Sequence, residues 1–495
     1  MNTYPDSTSA TNDTYTVLLT GANACVAIKP SNRTDLTILS GLGYATCCRL
    51  IDEFLATRPN EQSLHLLFTT RDQRKNDETL RSLYQHLEKT LSQSYRTNET
   101  LRTAQRNRIR LEGEQLDLLS LVSVKALAKR LLQRQLHIDV VILNAGVGGW
   151  KGWNWPVAIW GVLTNMPASV TWPTYKLGYV GRVTKPQLPS SGQGLGTSDY
   201  ASKSIAQSTT QETEPALGET FTANVFGHYM LVHQLSPLLS SRTSHDDPAQ
   251  RSRIIWVSSI EAYAHSFNLS DPQCLLNQTS YESSKRLTDL LVLTSSLPST
   301  QRHVTSFLPP QPDPDALPPS QYLCHPGICA TSIAGLPYLL KLSMIATFYI
   351  ARLLQSPWHT IAPYLGAVSV VWLALSPESY LQSLESEAED TGGPKGRGGD
   401  TWSTAPGMNK SKWGSSTDIS GGERVIRTEV EGWGWSGVVG QTPDGGMRIN
   451  AGREKGAKVL GQEDREGFEE LGALAWGAME DLRTEWMERL RGVGE

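Results

Sequence analysis

Six cysteines in 495 residues are too few and too scattered for a disulfide scaffold. They stand at Cys25, Cys47, Cys48, Cys274, Cys324 and Cys329, and none has metal-ligand spacing. No metal is therefore expected, and the cysteines are read as thiols in a cytosol-facing compartment. Charge of one sign is also missing: 45 Lys and Arg stand against 49 Asp and Glu, a net of −4, so no nucleic-acid partner is expected. The opening MNTYPDSTSATNDTY is polar and lacks the apolar core of a signal peptide. Long apolar runs are absent too. Residues 336–354 are interrupted by Lys341 and Arg352, and 361–375 falls short of the ~20 residues that a spanning helix needs. A segment lying on a membrane interface is favoured for 336–383 over one that crosses.

What is present is an alternation of buried-strand and helix patterns. YTVLLT (15–20) reads as a strand, ATCCRLIDEFLA (45–56) as a helix and LHLLFT (64–69) as a second strand. A charged helical stretch (77–106), a third strand (108–117), a helix and a fourth strand (138–143) follow. A helix at 219–239 precedes the strand 253–257, a further helix begins at YESSK, and 304–308 reads as another strand. This rhythm predicts an α/β fold, a doubly wound parallel sheet with helices on both faces. The domain order read from it is a disordered N-terminus (1–14), a catalytic domain (15–335), the apolar segment 336–383 and a C-terminal extension (384–495). Residues 183–215 read as a polar, mobile loop and 384–424 as a Gly- and Ser-rich, poorly ordered stretch; 464–491 reads as a surface helix.

The chemistry is carried by an ordered trio. ILNAG ends in Asn144-Ala145-Gly146, RIIWVSS ends in Ser258-Ser259, and YESSK holds Tyr281 and Lys285 four apart, on one helix face. An ammonium beneath a phenol lowers its pKa, and a Ser hydroxyl can bond the same substrate oxygen. That is the layout of a ketone or alcohol oxidoreductase. A YxxxK match alone is weak, since chance supplies about half of one in a chain of this composition. The order of the three pieces is what counts.

A nucleotide site also needs a glycine turn between the first strand and its helix. Thr20-Gly21-Ala22-Asn23 starts one, and Ser40-Gly41-Leu42-Gly43-Tyr44 finishes it directly before the helix. Residues 24–39, ACVAIKPSNRTDLTIL, lie between. Removing them leaves TGANSGLGYATCCRLIDEF, a contiguous glycine loop in an unbroken reading frame, as a retained intron would; sequencing the spliced message tests this. If the segment is in the protein, it must loop out from the pyrophosphate site. At the end of the second strand, LLFTTRD puts Arg71 ahead of Asp72. Arg there favours a 2′-phosphate and hence NADPH, whereas a leading acid would favour NADH; a solvated loop Arg is the alternative.

With TGAN…SGLG, NAG, TANVFGHY, WVSS, YESSK and HPGICAT in place over about residues 15–335, the chain resembles the short-chain dehydrogenase/reductase family, a Rossmann-like fold. LLFTTRD, WKGWNWPVAIWGVLTNMPASVTWPTY, RIIWVSSIEAY, YESSKRLTDLL and KWGSS…VEGWGW are similar to the fungal 3-ketosteroid reductases of sterol carbon-4 demethylation. That family has no insert at 24–39. The resemblance implies NADPH-dependent reduction of a 3-keto sterol to the 3β-alcohol in ergosterol biosynthesis, beside the other demethylation enzymes. It implies a place on the cytosolic face of the endoplasmic reticulum membrane, or on lipid droplets. It implies roles as well. Tyr281 is the general acid, and Lys285 lowers its pKa and binds the nicotinamide ribose. Ser259, the second of its pair, steadies the alkoxide, although the residues alone leave Ser258 open. Asn224 holds a relay water, or is simply a helix-interior Asn with a structural bond. Gly21, Ser40, Gly41, Leu42, Gly43, Arg71, Asp117, Asn144, Ala145, Gly146, Pro326, Gly327 and Thr331 join Tyr281 and Lys285 around the cofactor. A reductase of another lipid ketone, or an impaired scaffold for the demethylation complex, are the competing functions.

Residues 148–179 carry Trp150, Trp153, Trp155, Trp160 and Trp172. Such a cluster suits a water–lipid boundary, or else a packed core insert.

Overall fold

A computed structural model describes residues 13–23, 41–188, 214–239, 251–311, 313, 316–331, 338–390, 409–439 and 458–493. Ser40, the segment 24–39 and residues 189–213 of the polar stretch lie outside the described residues. The strands are β1 (Thr14–Leu19), β2 (Ser63–Thr70), β3 (Ile109–Gln115), β4 (Val140–Leu143), β5 (Trp150–Trp153), β6 (Lys176–Gly178), β7 (Arg253–Val257), β8 (Ser320–His325), β9 (Lys412–Thr417) and β10 (Glu423–Thr428). The helices are α1 (Leu42–Thr57), α2 (Gln73–Ser94), α3 (Glu99–Asn107), α4 (Leu121–Gln133), α5 (Trp155–Thr171), α6 (Glu219–Phe221), α7 (Gly227–Leu235), α8 (Ser280–Leu293), α9 (Gln301–Phe307), α10 (Tyr338–Leu353), α11 (Pro363–Gly366), α12 (Val368–Leu375), α13 (Glu378–Asp390) and α14 (Gln462–Arg489).

β4 and β7 are buried throughout and β1 nearly so, which is why they read as unbroken apolar runs. The sheet order is β10-β9-β8-β7-β4-β1-β2-β3, while β5 and β6 form a separate ribbon. Neighbours in the main sheet run parallel except β9 and β10. One apolar core, with Phe54, Phe68, Val371 and Leu373, fills the α1, α2 and α12 face. Another, with Leu127, Tyr229, Leu291 and Trp476, fills the α4, α7, α8 and α14 face. The chain builds outward from β1 to β3, then returns to β4 and proceeds the other way. This reversal opens a crevice at the carboxyl ends of β1 and β4.

Several sequence expectations change here. Residues 304–308 are not a strand: they fall largely in α9, because a short apolar run fits either element and this one packs Phe307 into the core as a helix. The stretch 384–424 is not unstructured where described. Its start continues α13, and Lys412–Thr417 is a sheet strand whose six residues are all buried. Its polar side chains hid it. They are satisfied by partners far away in sequence, as when Ser415 Oγ donates to Gly366 O at 2.7 Å. The 464–491 helix exists as α14, but it is more than a surface element, since Phe468, Trp476, Met479 and Trp486 are buried and Trp476 Nε1 donates to Leu291 O at 3.0 Å. The apolar segment 336–383 divides. α12 belongs to the core, with Val370, Val371, Leu373 and Ala374 fully buried, whereas α10 leaves Leu342, Ile350 and Leu353 exposed. Arg352 does not reach outward from α10. It is buried, with Nε and Nη2 donating to His359 O and Nη2 also to Thr360 O. No helix among the described residues is long and apolar enough to cross a membrane.

Candidate active site and cofactor cradle

Where β1 ends, Gly21 takes φ +77°, and a Cβ there would fall 2.7 Å from Ala145 Cβ. A Cβ on Gly43 would meet Gly21 O at 2.1 Å and Asn144 Nδ2 at 2.5 Å. The ends of β1 and β4 and the first turn of α1 are thus pressed together at a spacing only glycine permits. A Cβ on Gly41 would lie 3.4 Å from Asn23 O, so the chain leaves at Asn23 and returns at Gly41 in one place. The glycine turn is assembled although its halves are separated in sequence. Gly41 gives α1 no side-chain cap, which leaves its first-turn amides to an anion.

Asn144 Nδ2 donates to Thr20 O at 3.1 Å and Gly21 O at 3.3 Å. Thr20 Oγ1 accepts from the amides of Asn144 and Ala145 at 3.0 and 3.1 Å and lies 2.9 Å from His228 Nε2. Burial pushes His228 down to about 3, so the ring stays neutral. Thr20 opens the turn as its sequence suggests, but its partner His228 carries no local signal, and only their meeting in space reveals it.

At the end of β2, Asp72 accepts from Lys75 N at 2.9 Å as the N-cap of α2. Arg71, exposed, lines the crevice together with Asp117. Asp117 Oδ1 accepts from Leu119 N at 3.1 Å. Across the crevice, Pro326, Gly327 and Thr331 follow β8. The acceptor atoms Asn23 Oδ1 and Asn144 Oδ1 are buried with no partner among the described residues. Unfilled acceptors, an uncapped helix end and glycines that leave no room for side chains together fit a dinucleotide.

The reacting end lies on β7 and α8. Ser259 Oγ is within hydrogen-bonding reach of the Tyr281 phenol and accepts from Glu261 N at 3.1 Å. Ser258 Oγ points the other way and donates to Asp289 Oδ1 at 2.5 Å. Lys285 Nζ donates to Val257 O at 2.8 Å and sits 5.8 Å from the Tyr281 ring centroid. Asn224 lies in a π-helical turn, Thr222–Phe226. Its Oδ1 accepts from Val147 N at 2.8 Å, and its Nδ2 donates to Val147 O and to Ser284 Oγ.

The expected lowering of the phenol pKa by Lys285 is not found. Burial first, and the Glu261 carboxylate next, push Tyr281 up, and the nearby Ser259 hydroxyl only partly opposes them. Lys285 is itself pushed down to about 8, chiefly by burial. Beside the phenol stands a polar cluster that the sequence did not single out. Lys176 Nζ donates to both Glu261 oxygens at 2.6 Å and lies 4.1 Å from the Trp150 ring centroid. Trp150 in turn packs 5.0 Å from the Tyr281 ring. Burial and Glu261 raise the neighbouring Glu282 carboxyl to about 7. Glu261 stood in RIIWVSSIEAY; Lys176 carried no local signal.

One cavity of about 710 Å³ joins these parts. It runs from Gly21 and Arg71 past Tyr281 into an apolar chamber between α5 and α10, walled by Trp153, Ile159, Val162, Met344 and Phe348. The chamber takes residues from both the tryptophan-rich stretch and 336–354.

No family profile matches the chain. Among curated proteins, a 3-keto-steroid reductase of Aspergillus fumigatus is 41% identical over 483 residues, covering 96% of this chain and 94% of that one. One from Gibberella zeae is 36% identical, covering 96% and 95%, and one from Schizosaccharomyces pombe is 28% identical, covering 79% and 88%. Among solved structures, an alcohol dehydrogenase from Thermococcus sibiricus complexed with 5-hydroxy-NADP is 14% identical at a TM-score of 0.35, covering 74% and 92%. The extent and level of the match to the Aspergillus and Gibberella proteins make the chain a member of the 3-keto-steroid reductase family.

Proposed function

We propose that the protein reduces a 3-keto sterol to the 3β-alcohol with NADPH, in the carbon-4 demethylation steps of sterol synthesis. The observation that carries this is the cavity: a dinucleotide cradle opens, past the Tyr281 phenol, into an apolar chamber. Such a chamber suits a rigid hydrocarbon body with one polar end. The names of the full-length relatives support the same substrate class. The first-turn amides of α1, with Asn144, Ala145 and Gly146, hold the cofactor, and Arg71 meets the 2′-phosphate. Bound there, NADPH supplies a hydride. Tyr281 gives its proton to the ketone oxygen, and Ser259 Oγ donates a hydrogen bond to the same oxygen. A phenol pushed up by burial keeps its proton through neutral pH, which is the form that reduction requires.

Incubating the chain with NADPH and a 3-keto sterol tests this; a 3β-hydroxy product is expected. No turnover by the chain, nor by a form lacking 24–39, would overturn the reading. Because Asn23 and Gly41 already meet, the shortened form should fold, with the glycine turn contiguous in sequence. Its NADPH affinity should be tighter by about tenfold, or ~1.4 kcal/mol, in a fluorescence titration.

The same reading places the protein on the cytosolic face of the endoplasmic reticulum or on lipid droplets, beside the other demethylation enzymes. α5 and α10, which wall the chamber, carry an outer apolar surface: Trp160 is 70% exposed and Leu353 62%. Exposed apolar side chains on the two helices that wall the chamber suit an interface. The protein should float with liposomes and be released by carbonate, and Trp160→Asp with Ile350→Asp and Leu353→Asp should abolish flotation. Lumenal protection of the C-terminal tail from protease would defeat the interfacial arrangement.

A further inference from the structure

The catalytic turn after β7 is anchored from an unexpected direction. Lys412, the first residue of β9, lies 153 positions beyond Ser259, yet its Nζ donates to Ser259 O at 2.7 Å. The same Nζ donates to Asp289 Oδ2 at 2.5 Å, and both side chains are buried, 3% and 0% exposed. Asp289 Oδ1 accepts from Ser258 Oγ at 2.5 Å. One ammonium and one carboxylate therefore clasp both serines of the turn: Ser258 by its hydroxyl and Ser259 by its carbonyl. Asp289 also lies one helical turn beyond Lys285 on α8, so two buried lysines share a single carboxylate.

We infer that Lys412, paired with Asp289, is a positioning residue of the reductase: it fixes the Ser259 hydroxyl against Tyr281 and sets the charge state of Lys285. This rests on the proposed reduction and adds to it a residue supplied from beyond the 15–335 region.

The groups facing Lys285 are Tyr281 and Asp289 on α8, Cys324 on β8, Lys412 on β9 and His228 on α7. Burial pushes the Cys324 thiol up to about 12 and the His228 ring down to about 3, and the phenol is pushed up as well. None of these three is charged near neutrality. Lys285 thus responds to Asp289, which favours its charge, and to Lys412, which opposes it. Burial lowers Lys412 too, with Asp289 opposing. Losing Lys412 would remove the repulsion and leave Asp289 to Lys285 alone, so the Lys285 proton would be held to higher pH.

The experiment uses the full chain as wild type, Lys412→Met and Lys412→Met/Asp289→Asn. The double variant removes both charges together, so it folds even if a lone buried carboxylate unfolds the single one. Two readouts are taken: the pH dependence of NADPH affinity, and kcat on the 3-keto sterol. Affinity for the anionic cofactor should weaken as Lys285 loses its proton. In Lys412→Met that loss should move up by about one pH unit, a shift that a purely structural role would not produce. In the double variant it should move by less, and in both kcat should fall by about tenfold or more through the freed Ser259 turn. Folded variants with kcat within about twofold of wild type and an unmoved pH limb would overturn the inference. Should the wild type bind NADPH but fail to reduce the sterol, the proposed reaction fails, while the binding limb alone still decides whether Lys412 governs Lys285.

Discussion

Tyr281→Phe should lower turnover of the 3-keto sterol by at least about 100-fold, the lower end for loss of a general acid, and leave NADPH binding within about twofold. The substitution removes one hydroxyl and nothing else. The ring keeps its packing at 5.0 Å against Trp150, so the fold has no reason to change. The lost hydroxyl is the one beside Ser259 Oγ, while Lys285 Nζ is held by Val257 O at 2.8 Å. Burial and Glu261 hold the wild-type phenol protonated, so the effect should be similar at pH 6 and pH 8. Product formation by chromatography and cofactor titration by fluorescence measure the two halves separately. Near-normal turnover would show that the proton comes from elsewhere, with Glu282, raised to about 7, the next candidate.

How far the sequence reached depends on what kind of signal each part carries. The central strands were legible because burial on both faces makes them unbroken apolar runs, as in YTVLLT and RIIWV. The glycine turn was legible across its interruption because Gly21, Gly41 and Gly43 keep the order that a phosphate site needs, and their contact in space follows from sheet and helix packing. Parts whose order depends on distant polar partners stayed hidden. β9 is made of Lys, Trp, Gly, Ser and Thr and looks like solvated coil until Asp289, Gly366 and Ser369 are seen to satisfy it. The Lys176–Glu261 pair joins residues 85 apart, a relation no periodicity encodes. The choice between Ser258 and Ser259 was open for a similar reason. Only the path of the chain after β7 decides which hydroxyl turns toward Tyr281 and which toward α8. Residues 361–375 were misjudged because an apolar helix looks alike whether a sheet or a lipid covers it, and here the sheet does.

Arg71→Asp should reverse the preference between cofactors. Arg71 follows β2 and lines the cradle, and its neighbour Asp72 is occupied in capping α2 through Lys75 N. The first residue after the strand is therefore a cation, and the acid next to it in sequence is turned to α2. A guanidinium about 4 Å from a phosphate is worth ~1 kcal/mol per unit charge in water and up to ~4 kcal/mol at a protein surface. Arg71 is exposed, so the lower figure governs. Replacing attraction with repulsion then costs NADPH about 2 kcal/mol, or roughly 30-fold in affinity. NADH lacks the 2′-phosphate and escapes that repulsion, and an aspartate in this place can accept from its free 2′-hydroxyl. NADPH affinity should drop while NADH affinity holds or rises, and kcat with saturating NADH should match wild type because Tyr281, Ser259 and Lys285 are untouched. The salt dependence should change as well: NADPH binding to wild type should weaken with ionic strength more than binding to the variant. Titrating both cofactors against both proteins at two salt concentrations reads all of these effects. An unchanged preference would mean that Arg71 points into solvent and that the 2′-phosphate is met by another group at the mouth of the cradle.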